Sequence, residues 1–136
     1  MKTTFHWPVK VYYEDTDAGG IVYYANYLKF FERARTEWLG QTPFNNQVLR
    51  AQYHCLIVVK SCAIEYHATA KLEDQLDLQL VLDKLGRASC VLSQQAYCAG
   101  KLIASAQVKL AFIDADTMAA CAIPKDLYSV LAAGMS

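Results

Sequence analysis

Side chains able to do chemistry gather in one short stretch, Glu14-Asp15-Thr16-Asp17-Ala18-Gly19-Gly20. The carboxylates come first, the glycines follow, and an aromatic run with helical spacing begins just beyond. A carboxylate beside a helix start meets backbone N–H groups that lack intrahelical acceptors and favour negative charge, including an oxyanion developing on a substrate. Glycines let a backbone or a ligand approach with no side chain in between. Together these are what acyl-transfer chemistry would want: a carboxylate and a ready oxyanion hole. Spacing alone also fits a plainer role, because acidic glycine-rich turns are common and Asp15 and Asp17 suit loop and capping positions.

Other chemistries fit less well. Asp15 and Asp17 match the first and third positions of a calcium loop, but Gly19 and Asn26 stand where that loop needs an oxygen donor and a bidentate glutamate. His6, His54 and His67 lack zinc-ligand spacing. The chain has no GxSxG elbow, P-loop or dinucleotide fingerprint, so no metal or cofactor is expected. The five cysteines, Cys55, Cys62, Cys90, Cys98 and Cys121, are odd in number and contain no CxxC pair. They read as small hydrophobes in a reducing compartment.

The elements around the loop must position it. Lys10 to Tyr13, after Pro8, is aromatic and β-branched and reads as a first strand. Beyond the glycines, Tyr27, Phe31, Ala34 and Trp38 recur at helical spacing, with Leu28, Phe30 and Leu39 widening the apolar face. Lys29, Arg33 and Glu37 step by four on the other side. This predicts a helix from about Tyr24 to Gly40, ended by that glycine. A short helical or irregular stretch, Gln47 to Tyr53, precedes a strand from Leu56 to Tyr66. Leu76, Leu78, Leu80 and Leu82 then alternate with polar residues, as do Leu102, Ala104, Ala106, Val108, Leu110 and Phe112. Ala88 to Cys98 is a strand between them, with turns at Leu85 to Arg87 and at Gly100. Pro124 opens a short helix through Leu131. One long apolar helix against successive antiparallel strands is an α+β layer fold. Residues 1–136 are expected to form one domain, and the open sheet edges suggest oligomerisation.

Composition sets the outer limits. A chain of 136 residues, 54% hydrophobic, can bury a core without staples. Its net charge of +0 argues against nucleic acid or a polybasic membrane surface as partner. The start lacks the apolar stretch of a secretory signal, and no run approaches a membrane span, so a cytoplasmic location is expected.

The run VYYEDTDAGGIVYYANYLKFFERARTEWL, Val11 to Leu39, closely resembles the hot-dog-fold acyl-CoA thioesterases of the 4-hydroxybenzoyl-CoA thioesterase family, most of all the Tol-Pal-associated type. The resemblance continues more loosely through IEYHATAKLEDQLDL, Ile64 to Leu78, and the strands after it. It implies a long helix wrapped by an antiparallel sheet, and assembly as a dimer or homotetramer with active sites between subunits. Asp17 matches the family's catalytic carboxylate, which attacks the thioester carbonyl or acts as general base on water. Backbone N–H groups near Tyr24 would hold the oxyanion, and Tyr13 would help position Asp17 and substrate. Many Tol-Pal-associated relatives have histidine where this chain has Tyr24. The 4-hydroxybenzoyl branch has tyrosine there and works through the backbone N–H.

An acyl-CoA substrate also needs cations for its phosphates. Lys60, Lys71, Arg87 and Lys101 lie on or beside strands and turns, and Lys60 and Arg87 are preferred as substrate-binding residues. Each also reads as an ordinary solvated charge. The alternative function is a non-catalytic binder of acyl-CoA or acyl carrier protein on the same scaffold.

Overall fold

The computed structural model describes residues 2–135. The chain runs β1 (Thr4–Lys10), α1 (Asn26–Gly40), α2 (Asn46–Tyr53), β2 (Cys55–Tyr66), β3 (Gln75–Leu85), β4 (Ser89–Cys98), β5 (Lys101–Asp114) and α3 (Lys125–Ala133). The strands form one antiparallel sheet in the order β1-β3-β4-β5-β2.

Alternation decides the two faces of this sheet. Leu76, Leu78, Leu80 and Leu82 on β3, and Ala104, Ala106, Val108, Leu110 and Phe112 on β5, are buried. The polar residues between them, among them Asp77, Gln79, Ser105 and Lys109, fall on the wetter face. α1 crosses the dry face against β3 and β1. It buries Tyr27, Phe30, Phe31, Ala34 and Leu39, a stripe at helical spacing. Leu28 was expected on that stripe but is 46% exposed, because one residue turns the helix by about 100°. A polar tie through Gln94 joins the layers. The fully buried Gln94 of β4 donates from Nε2 to the Phe31 carbonyl at 3.0 Å and accepts from Arg35 Nη1 at 3.1 Å.

The first strand differs from the sequence expectation. β1 precedes Val11 and contains Pro8, with Phe5, Trp7 and Val9 turned inward. It is an edge strand, where a missing N–H is tolerated. The chain then leaves the sheet and makes a single 3₁₀ turn, Tyr13–Asp15, where a strand was expected to end. Gly40 is the last residue of α1, yet Gln41 follows at φ −77°, so the helix stops without a left-handed cap. Pro124 sits at the N-cap of α3, one place ahead of the first turn.

Burial pushes the thiols of Cys55 and Cys90 up to about 12, which keeps them protonated among apolar neighbours. Cys62 is exposed. Among the described residues no helix is long and apolar enough to cross a membrane.

Candidate active site

The loop between β1 and α1 is fastened at both ends before it reaches Asp17. Val11 donates to the Asp74 carbonyl and accepts from the Glu73 N–H, each at 2.9 Å. Asp15 follows and is only 3% exposed. Its Oδ2 accepts from the Tyr12 N–H and its Oδ1 from Asn26 Nδ2, both at 2.8 Å. Its carbonyl accepts from the Tyr23 N–H at 2.9 Å. Asp15 thus ties the turn to the first residue of α1, and both its carboxylate oxygens are occupied in doing so.

Asp17 is placed differently. Thr16 and Val22 form an antiparallel bridge. Beyond it the Asp17 N–H donates to the Ile21 carbonyl at 2.9 Å and the Gly20 N–H to the Asp17 carbonyl at 3.0 Å. Asp17 therefore heads a small hairpin with its side chain exposed. Its Oδ1 accepts from the Gly19 N–H at 2.8 Å, which fixes the carboxylate against the turn. Glycine suits both positions here. Gly20 has φ +78°, and a Cβ on Gly19 would stand 3.2 Å from Asp17 Oδ1.

The outgoing arm of the hairpin becomes the helix. Val22 donates to the Ala70 carbonyl at 2.8 Å, and Ile21 bridges Lys71. The first turn then closes tightly, with Asn26 N–H on the Tyr23 carbonyl at 2.8 Å and Leu28 N–H on the Ala25 carbonyl at 3.2 Å. The N–H groups of Tyr24 and Ala25 have no acceptor among the described residues. Ala25 at the N-cap offers no side-chain oxygen. A carboxylate fixed at the hairpin head and open amides where the outgoing arm enters the helix are groups of the kinds that acyl-transfer chemistry uses.

Aromatic rings surround this point. Tyr24 is 61% exposed, with the Tyr23 ring 4.8 Å away and the Tyr66 ring edge-on at 6.1 Å. Tyr13 lies in the 3₁₀ turn rather than at a strand end, and its side chain is 81% exposed. Only its backbone holds the loop, through a carbonyl that accepts from Thr16 Oγ1 at 2.7 Å.

The two preferred cations lie elsewhere in the chain. The loop sits at the end of the sheet marked by Gln75, Cys98 and Tyr66. Arg87 is in the turn after β3, at the other end of an 11-residue strand, about 35 Å in length. Lys60 is exposed midway along β2, in a bulge between Val59 and Ser61. Lys71, bridged to Ile21, and Lys101, paired with Cys98, stand at the loop's own end of the sheet. Spacing along the chain could not tell one end of the sheet from the other. The contacts of Asn26 with Asp15 and of Tyr66 with the Tyr24 carbonyl were not foreseen. Asn26 had a faint signal, a polar residue opening an aromatic helix; Tyr66 had none. Among the described residues no group of His, Cys, Asp and Glu could hold a metal ion.

A family model described as the thioesterase-like superfamily matches residues 11–131, which take in the Asp17 hairpin, α1 and strands β2 to β5. The chain belongs to this superfamily. The acyl-CoA thioester hydrolase YbgC of Escherichia coli O6:H1 is 43% identical over 129 residues, covering 93% of this chain and 96% of its own. The acyl-CoA thioesterase YbgC of Haemophilus influenzae is 42% identical over 123 residues, 90% of each chain. A 1,4-dihydroxy-2-naphthoyl-CoA thioesterase from Synechocystis superposes with a TM-score of 0.88 over 96% of each chain at 21% identity, which speaks for the fold. The long helix on an antiparallel sheet is the hot-dog arrangement of these thioesterases.

Proposed function

We propose that the chain is an acyl-CoA thioesterase that hydrolyses small acyl or aroyl coenzyme A thioesters. The observation that carries this is a pinned, exposed Asp17 carboxylate at the head of a hairpin whose outgoing arm leads into the open Tyr24 and Ala25 amides. The substrate class comes from the superfamily and from the names of the similar hydrolases.

In this reading the thioester oxygen rests on the open amides, which polarise the carbonyl. Asp17 adds to the carbonyl carbon, or deprotonates a water that does. The tetrahedral oxyanion gains hydrogen bonds that the flatter ground state makes less well, so the amides lower the barrier. Collapse expels coenzyme A as thiolate, which takes up a proton. If Asp17 has attacked, water then hydrolyses the mixed anhydride and restores the carboxylate. The net reaction is thioester plus water to acid plus thiol. Tyr24 serves through its backbone, so the histidine of many relatives is not required at its side chain. Tyr13, solvent-facing beside the hairpin, contacts the substrate.

The phosphates need cations, and Lys71 and Lys101, with Lys10 opposite Gln75, stand at this end of the chain's own sheet. Lys60 and Arg87 would serve a site formed with a second copy. Assembly as a dimer or tetramer is supported by the bare edge of β2, where Val58 is 36% and Val59 49% exposed. An acyl carrier protein is an alternative donor of the thioester, and a cytoplasmic location goes with this reading.

A thiol-release assay over a panel of aliphatic and aroyl coenzyme A thioesters tests the activity. Turnover with at least one of them is expected. Tight binding of the panel with no thiol release would assign the chain as a non-catalytic carrier instead.

A further inference from the structure

The Tyr24 carbonyl and the Ala25 N–H are opposite ends of one planar peptide unit, so whatever holds the carbonyl aims the amide. The carbonyl is held from far away in the sequence. Tyr66, the last residue of β2 and 42 positions distant, donates its hydroxyl to it at 3.1 Å. The helix itself contributes only a long contact, Tyr27 N–H at 3.4 Å. The Tyr66 ring is fixed in turn, edge-on to Tyr24 at 86° and 5.7 Å from the Tyr27 ring. Burial and the neighbouring Tyr24 hold the Tyr66 hydroxyl above its ordinary pKa, so it remains a donor at neutral pH. A hydrogen bond accepted by a peptide carbonyl also polarises the N–H on the far side of the same unit, which makes it a better donor. The Ala25 N–H is one of the amides left without an acceptor.

We propose that Tyr66 is a positioning residue for thioester hydrolysis: through the Tyr24 carbonyl it aims and polarises the Ala25 amide that shares the oxyanion with the Tyr24 amide. The proposal rests on the thioesterase reading above and adds a residue outside the hairpin to it. Tyr66 is 45% exposed at a strand end, and its hydroxyl is spent on the Tyr24 carbonyl.

Tyr66→Phe tests this, because it keeps the ring and its packing and removes only the hydroxyl. The expected result is a fall in kcat of about tenfold with KM and the melting temperature unchanged, since the contact acts on the transition state. In 15N-labelled protein without substrate, the Ala25 amide resonance is expected to move more than others in the first turn of α1. An unchanged kcat in an otherwise active enzyme, a raised KM at constant kcat, or an unmoved Ala25 resonance would each overturn the proposal alone. A wild-type chain that hydrolyses no thioester would overturn it together with the reading it rests on. Asp17→Asn, measured beside it, separates the cases, since its kcat reports the carboxylate and its Ala25 resonance should stay close to wild type.

Discussion

Two aspartates separated by one threonine have opposite fates, and their hydrogen bonds say why. Asp15 is enclosed, with the Tyr12 N–H and Asn26 Nδ2 on its two oxygens. Asp17 is exposed and held through Oδ1 by Gly19. Replacing Asp15 by alanine strands two donors in a dry place, so Asp15→Ala is expected to lower the unfolding free energy by about 2 kcal/mol. Urea denaturation measures this, and a midpoint equal to wild type would contradict the anchoring role. The motif made both aspartates visible as candidates, but nothing in the letters told which was buried. That depended on Asn26, eleven positions on, which becomes Asp15's neighbour only when the helix starts where it does.

The helix that follows the candidate site, α1, is seated by shape and by a polar tie through Gln94. Its stripe of Tyr27, Phe31 and Ala34 was legible from period alone, as were the faces of β3 and β5, because burial on one side leaves an alternating record. The Gln94 tie was not, since a glutamine at an inward position reads as a break in the pattern. Its removal leaves Arg35, already pulled below its ordinary pKa by burial, without its acceptor. Gln94→Leu is expected to cost about 1–3 kcal/mol in stability despite the added apolar surface. A variant as stable as wild type would show that the tie is dispensable. The first strand was misplaced because Pro8 looked like a boundary, whereas an edge strand accepts it.

For the whole molecule, the arrangement of strands decides what a single chain can and cannot supply. Sheet order is not written in the alternation, so the sequence favoured Lys60 and Arg87 over Lys71 and Lys101, which stand at the loop's own end of the sheet. The long, bare edge of β2 and the exposed tyrosines about the hairpin point to a neighbour. Light scattering on the purified protein should give twice or four times the mass of one chain, and a strict monomer at working concentration would remove the second-copy role given to Lys60 and Arg87. The central claim is that Asp17, beside open amides, breaks the thioester. Its most direct measurement is thiol release by Asp17→Asn on the best coenzyme A thioester of the panel, alongside binding of coenzyme A itself. Turnover should fall roughly 100-fold or more with binding kept within about threefold. An asparagine variant that turns over at the wild-type rate would contradict it.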